Sequence, residues 1–281
     1  MKTIIITGEY LPKIPDGWLS ELKKTYGVEV CEKVRKKEIQ QFLQERKLVP
    51  EKTLLIGNNP FTLKEAKEIP MAVLPVEEDG FEYYGFDITT TEPWEAEDVF
   101  LPRVYQRFWD LPWLITETKR MIIREEQESD LDAIYAMYEQ PHIQQFLDPP
   151  FEDRGEELEY MRKYRKYVYG FYGYGLWHLI DKATGEHVGR AGISPKVYED
   201  GVRGAELGYM IAEPFTGRGY CMEACRGILM YALEQLDIRL VYLLVKPDNV
   251  VSIHIAEKLG FEFDKEITDQ NRQMLRFYKG F

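Results

Sequence analysis

Between Ala205 and Ala224 the chain reads Ala-Glu-Leu-Gly-Tyr-Met-Ile-Ala-Glu-Pro-Phe-Thr-Gly-Arg-Gly-Tyr-Cys-Met-Glu-Ala, and no other stretch limits the possible folds as much. Residues 204–212 form a strand pattern, and residues 217–236 form one long helix pattern. The short join between them carries Gly217 and Gly219. Glycine admits positive φ and lets backbone approach a ligand closely. The first amides of a helix have no intrahelical partner, and the dipole's positive end lies there, so a helix start can hold an anion. Thr216 to Met222 is therefore a candidate anion-binding loop. Its glycines taken alone fit an ordinary helix-entry turn equally well.

The remainder of the chain divides into two layouts. Residues 1–112 alternate strands (Thr3 to Thr7, Val28 to Cys31, Thr53 to Ile56, Met71 to Pro75) with helices (Trp18 to Tyr26, Val34 to Lys47, Leu63 to Lys67). That alternation predicts a small α/β, Rossmann-like domain with a parallel sheet. Residues 76–98 are acidic and aromatic without periodicity and read as a long loop, followed by a helix at Val99 to Trp109 and a linker at Leu111-Pro112-Trp113. A second domain, 116–281, opens with a strand at Arg120 to Arg124. Helices follow at Ser129 to Glu139, Pro141 to Leu147 and Glu156 to Tyr169. Strands come next at Leu176 to Asp181, His187 to Ile193 and Gly204 to Ala212, with Lys182 to Gly185 as a hairpin turn. After the long helix come a strand at Leu240 to Val245, a helix at Ser252 to Leu259, and strands at Phe261 to Phe263 and Gln273 to Phe277. This order predicts an α+β fold with a mixed, mostly antiparallel sheet flanked by helices. Ser129-Asp130-Leu131-Asp132 reads as a capping box opening the first of its helices.

Composition narrows the function classes. Among the 281 residues the formal net charge is −12, which argues against a general nucleic-acid binder. The basic run Arg162 to Lys166 reads as a solvated helix face. Cys31, Cys221 and Cys225 form no C-x-x-C, and Cys221 and Cys225 lie one helical turn apart, so neither a zinc site nor a disulfide framework is expected. A reduced, cytoplasmic setting fits. The apolar run Ile4 to Ile6 is too short for a signal peptide or a membrane span. Aromatic residues make up 14%, with 19 tyrosines grouped around Tyr83, Tyr84 and Tyr167 to Tyr174, a distribution that suits a cleft lining.

The segment 205–224 resembles the acetyl-CoA-binding signature of the GNAT acetyltransferase superfamily, and within it the RimJ/RimL-like branch that acetylates ribosomal-protein N-termini. Two further elements carry the likeness. Val245-Lys246-Pro247-Asp248-Asn249-Val250-Val251-Ser252, continuing to Glu257-Lys258-Leu259-Gly260-Phe261, is similar to the end of that domain. Glu117 to Glu125 is similar to its first strand. Thr216 departs from the usual Gln or Arg, and Cys221 from Gly or Ala. The tyrosine general acid found in many members would fall seven residues after Asn249, at Ala256.

The resemblance implies transfer of an acetyl group from acetyl-CoA to a primary amine, the acceptor being a protein N-terminus or a small amine. No metal is expected. Such an amine is protonated at neutral pH, so a base is needed, and Glu206 is the candidate. The alternative for Glu206 is a solvated strand carboxylate. The resemblance places pantetheine along the backbone of Tyr209, Met210 and Ile211, with Met210 or Ile211 as oxyanion donor. It places the pyrophosphate on Gly217, Arg218, Gly219, Tyr220, Cys221 and Met222. Asn249 would bind the pantetheine arm and Ser252 would serve as thiolate-side donor or acid. Both also suit a helix cap. A homodimer is compatible with this reading. A non-catalytic CoA sensor or scaffold is the rival function. Thr53 to Asn59 and Ile69 to Leu74 resemble a late βα unit of a haloacid-dehalogenase-like domain without its Asp-x-Asp pair, which implies a binding or docking role for the first domain.

Overall fold

In a computed structural model, which describes all residues except Lys33 and Glu97, the chain divides into two units, Met1–Leu111 and Pro112–Phe281. In the first unit, β1 (Thr3–Thr7), α1 (Asp16–Thr25), β2 (Gly27–Cys31), α2 (Lys36–Glu45), β3 (Thr53–Gly57), α3 (Pro60–Ala66) and β4 (Ala72–Pro75) alternate. The strands pair in parallel in the order β2-β1-β3-β4. Strand residues of one parity meet Ile14, Leu22 and Val104 on one face. Those of the other parity meet Ile39, Leu43 and Leu63 on the opposite face, so both faces are covered. Residues 76–98 contain no regular element beyond a bridge between Val76 and Thr90, and Glu97 of that segment lies outside the described residues. The unit ends in α4 (Phe100–Phe108).

The sheet of the second unit gains a strand ahead of the expected Arg120 to Arg124. Leu114–Glu117 forms β5, an edge strand antiparallel to β6 (Met121–Arg124). Helices α5 (Leu131–Tyr138), α6 (Pro141–Gln144), α7 (Arg154–Tyr164) and the single turn α8 (Gly170–Tyr172) follow. The long helix anticipated at 156–169 is interrupted. After Tyr164 it loosens into a π-helical turn, Arg165–Tyr169, which carries the Tyr169 side chain into the core. The capping box also shifts, because the Asp130 carboxylate accepts the Gln127 N–H at 2.9 Å. Helix entry is therefore set by Gln127 and Asp130, not by Ser129 and Asp132.

Then come β7 (Leu176–Asp181), β8 (His187–Val197), β9 (Arg203–Ile211), α9 (Tyr220–Leu236), β10 (Leu240–Val245), α10 (Val250–Lys258), β11 (Glu262–Asp269) and β12 (Arg272–Gly280). The sheet order is β11-β12-β10-β9-β8-β7-β6-β5, antiparallel except where β10 meets β9. Trp177 of β7 is fully buried and meets Tyr231 of α9 edge-on, with ring centroids 5.6 Å apart, fixing the helix to one face. No helix among the described residues is long and apolar enough to cross a membrane.

The other face holds a lateral row of basic residues, the half-buried Arg124 and the buried His178 and Arg190, neighbours by strand register. Each arginine has a carboxylate partner. Arg124 makes two 2.7 Å bonds to Asp130, and Arg190 makes one of 2.7 Å to Glu126. Burial pushes the Glu126 carboxyl up to about 7 against the pull of Arg190. Removing one member of such a pair strands the other charge, at a cost of about 3–5 kcal/mol. Asp130→Ala should lower unfolding stability by about that amount, because it also removes the α5 entry contact. Urea unfolding followed by tryptophan fluorescence checks this, and a loss below about 1 kcal/mol would contradict it.

Candidate active site

Strand β9 is held over its full length by β8, from Arg203↔Val197 to Ile211↔Gly189. On its other side it pairs with β10 at only two positions, Ala205↔Val241 and Glu206↔Tyr242. Both strands continue beyond those pairs, so they part after Glu206 and leave a wedge. The Ala212 N–H bonds Val188 at 2.8 Å. Antiparallel pairs alternate between bonded and non-bonded. By that alternation Met210 and Gly208 turn their polar backbone to β8, and Leu207, Tyr209 and Ile211 turn theirs to the wedge. This corrects one expectation: the Met210 amide is committed to the sheet, which leaves Tyr209 and Ile211 as the wedge-facing donors. The Ile211 carbonyl is itself engaged, lying 3.0 Å from His142 Nε2 of α6.

Beyond β9 the chain makes a single 3-10 turn at Glu213–Phe215 and then the glycine loop. Gly217 and Gly219 both have positive φ, +68° and +80°. That geometry cannot continue a helix, so α9 starts at Tyr220 and not at Gly217. The first intrahelical bond is Glu223 N–H to Gly219 C=O, at 3.1 Å. The amides of Tyr220, Cys221 and Met222 precede it, and the glycine at the cap offers no side-chain acceptor. These amides stand at the positive end of a 17-residue helix. The Arg218 guanidinium turns back to the Pro214 carbonyl, at 3.0 Å. The Tyr220 side chain is buried as an anchor, its hydroxyl donating to Asp181 at 2.6 Å, while Cys221 and Cys225 are free thiols.

Asn249 is the N-cap of α10, its side-chain oxygen accepting the Ser252 N–H at 3.1 Å. The Tyr209 hydroxyl comes within 3.5 Å of the Ser252 carbonyl, so β9 and α10 meet across the wedge. Burial raises the Tyr209 phenol well above its usual range, and it stays protonated. Glu206 lies on the opposite face of β9 from Tyr209, by strand alternation. Its side chain is 23% exposed, one buried carboxylate oxygen has no hydrogen-bond partner, and Lys196 Nζ lies 4.0 Å away. Burial raises its pKa, while Lys196 and the Tyr198 hydroxyl oppose the rise. The structure thus gathers the loop, Tyr209, Asn249 and Ser252, but places Glu206 on the other side of β9 from Ser252.

Several residues at this site carried no recognisable signal. Glu223, in the first turn of α9, accepts from Thr118 Oγ1, Arg120 N–H and Arg120 Nε, each at 2.7 Å. Lys196 is held by Asp269 at 2.9 Å, beside Glu206. Elsewhere, Asp130, His178 and His187 bring ligand-type atoms within 4.8 Å of one another. Both Asp130 oxygens already receive Arg124, so its charge is met, and we assign no ion there.

Comparison with known proteins bears on the family and fold of the second unit. The profile described as Acetyltransferase (GNAT) domain matches residues 120–262, half of the chain. The uncharacterized protein YkkB of Bacillus subtilis is 30% identical over 156 residues, covering 55% of this chain and 89% of its own. An uncharacterized N-acetyltransferase, p20 of Bacillus licheniformis, is 22% identical over 156 residues, 55% of this chain and 86% of its own. Among solved structures, RimL, a ribosomal-protein α-N-acetyltransferase in complex with coenzyme A, shares the fold with a TM-score of 0.50 at 17% identity, over 60% of this chain and 98% of its own. The matched span leaves the first unit outside, and nothing in these comparisons supports its likeness to a haloacid dehalogenase. Over its second unit, the chain belongs to the GNAT family of acetyl-CoA-dependent N-acetyltransferases.

Proposed function

We propose that the chain transfers the acetyl group of acetyl-CoA to a primary amine by direct attack in a ternary complex, the acceptor being a peptide N-terminus or a small amine. The observation that carries this reading is the wedge between β9 and β10 ending at a glycine-rich helix start: free backbone groups along one arm and free amides at its end. An extended, amide-bearing arm fits the first as an added strand. A diphosphate fits the second. Acetyl-CoA supplies a thioester as activated acyl donor.

The protein's own residues then have separate tasks. The backbone of Tyr209 and Ile211 lines the wedge and orients the arm. The Ile211 N–H donates to the carbonyl oxygen that gains charge as the amine attacks. Glu206 takes the proton that the ammonium must lose. The Tyr209 hydroxyl and Ser252 stand together on the side away from Glu206, where a proton is returned to the leaving sulfur. The amides of Gly219 to Met222 hold the diphosphate. Asn249 spends its oxygen on capping α10, which leaves its side-chain N–H₂ for the pantetheine arm. A relative over 59 residues, a putative ribosomal N-acetyltransferase of Bacillus subtilis at 39% identity, favours the peptide acceptor.

The test is thiol release from acetyl-CoA with a panel of polyamines, aminoglycosides and N-terminal peptides. Turnover with at least one amine is the expected result. Tight CoA binding with turnover on none would overturn the amine reading in favour of a CoA sensor.

A further inference from the structure

Arg120 lies in the turn that precedes β6, far from the glycine loop in sequence, yet its side chain is built into that loop. Its Nη1 donates to the Arg218 carbonyl at 2.9 Å, its Nε donates to Glu223 at 2.7 Å, and its guanidinium lies 3.9 Å from the centroid of the Tyr220 ring. The Tyr220 ring is fixed in turn by Asp181 and by Phe215, whose ring centroid is 5.2 Å away. The Glu223 carboxylate that anchors Arg120 also receives the Arg120 N–H and Thr118 Oγ1. Residues 118–120 and Asp181, both distant in sequence, therefore converge on the segment from Phe215 to Glu223.

Two physical consequences follow. In a trans peptide the C=O of one residue and the N–H of the next point in opposite directions. By holding the Arg218 carbonyl, Arg120 directs the Gly219 N–H away from itself. Gly219, with φ of +80°, has the freedom to rotate that peptide the other way, so an external restraint is needed. Second, Glu223 puts a negative charge in the first turn of the helix, where it would repel a bound diphosphate. Arg120 neutralises it at contact distance.

We propose that Arg120 is a positioning residue of the donor site: it sets the peptide between Arg218 and Gly219 for diphosphate binding and cancels the Glu223 charge beneath it. This rests on the assignment of the loop to the diphosphate. Calorimetric titration with CoA, on the full chain, tests it with R120Q, R120K and R120Q/E223Q. R120Q should bind CoA about 10- to 30-fold more weakly, a loss in the range of a charge-assisted hydrogen bond. R120K should recover part of that, since lysine restores the charge without the fork. R120Q/E223Q should bind better than R120Q, because the uncompensated carboxylate is gone. In turnover, R120Q should raise KM for acetyl-CoA and leave KM for the amine unchanged.

Wild-type protein that fails to bind CoA would overturn the loop assignment itself. Wild type that binds, with R120Q within about 3-fold of it, would overturn the role of Arg120 alone, since that is less than the weakest charge-assisted bond considered. Should R120Q lose its far-UV circular dichroism, R120K decides: affinity equal to wild type overturns the proposal, and a selective rise in KM for acetyl-CoA supports it.

Discussion

Gly219→Asp should abolish measurable CoA binding, with a loss of at least 100-fold, about 2.7 kcal/mol or more by the tenfold-per-1.4 rule. Two effects act together. Gly219 sits at φ +80°, a region where Asp is tolerated better than most residues, at a cost of about 1–2 kcal/mol. A new carboxylate at the cap would also stand among the amides that receive the diphosphate, competing for their hydrogen bonds and repelling the ligand's charge. Among the described residues beyond its chain neighbours, the new Cβ would meet within 4 Å an Arg120 nitrogen at 3.6 Å, an ordinary contact, so the fold has room for the change. Calorimetric titration with CoA, alongside a thermal melt, separates the two outcomes. Unchanged affinity in a folded variant would remove the loop from the donor site.

Glu206→Gln should reduce kcat/KM for the amine about 100-fold at pH 7, the lower end of what a positioned base contributes. The loss should shrink as pH rises toward the amine's own pKa, about 8 for an α-amine and about 10 for a lysine-type amine, because solvent then supplies free amine. In the wild type, activity should fall on the acid side as Glu206 takes up a proton. Burial raises this group's pKa, so that fall should lie above the usual carboxylate range. After burial, the groups that set its position are Lys196 of β8, whose Nζ lies 4.0 Å away, the Tyr198 hydroxyl just beyond that strand, and Asp269 of β11, which holds Lys196 at 2.9 Å; Tyr242 of β10 is its register neighbour. Lys196→Met should shift the acid limb to higher pH by removing a cation that holds the Glu206 pKa down. Steady-state pH profiles of the three proteins check both statements. A wild-type profile in Glu206→Gln would assign the base elsewhere.

Local chemistry was legible where it depended on neighbours in sequence. The strand at Leu176–Asp181 and the strand at Leu240–Val245 were placed to the residue, since alternation and turn residues lie within a few positions of one another. The glycine loop was legible because positive φ is a property of single residues. Boundaries failed where tertiary contacts intervened. The helix expected from Gly217 begins at Tyr220 because both glycines are spent on the loop. The helix expected through Tyr169 loosens at Arg165, where Tyr164 and Tyr169 reach the sheet: Tyr164 takes the Leu176 N–H at 2.9 Å, and the Tyr169 hydroxyl donates to the Leu176 carbonyl at 2.5 Å. Pairing of Leu114–Glu117 with β6 was invisible because an edge strand beside a proline carries little pattern of its own.

The loop from Thr216 to Met222 shows the same division. Its glycines, the strand before it and the helix after it are consecutive, so the order of residues alone determined that a positive-φ turn would lead from a strand into a helix start, and the family to which the second unit belongs. Which way each amide points was decided only by the folded chain. Arg120 holds the Arg218 carbonyl, β8 claims the Met210 amide, and the parting of β9 from β10 turns the backbone of Tyr209 and Ile211 to the wedge. Hydrogen-bond direction is set by partners brought from distant segments, and no local pattern of side chains records it.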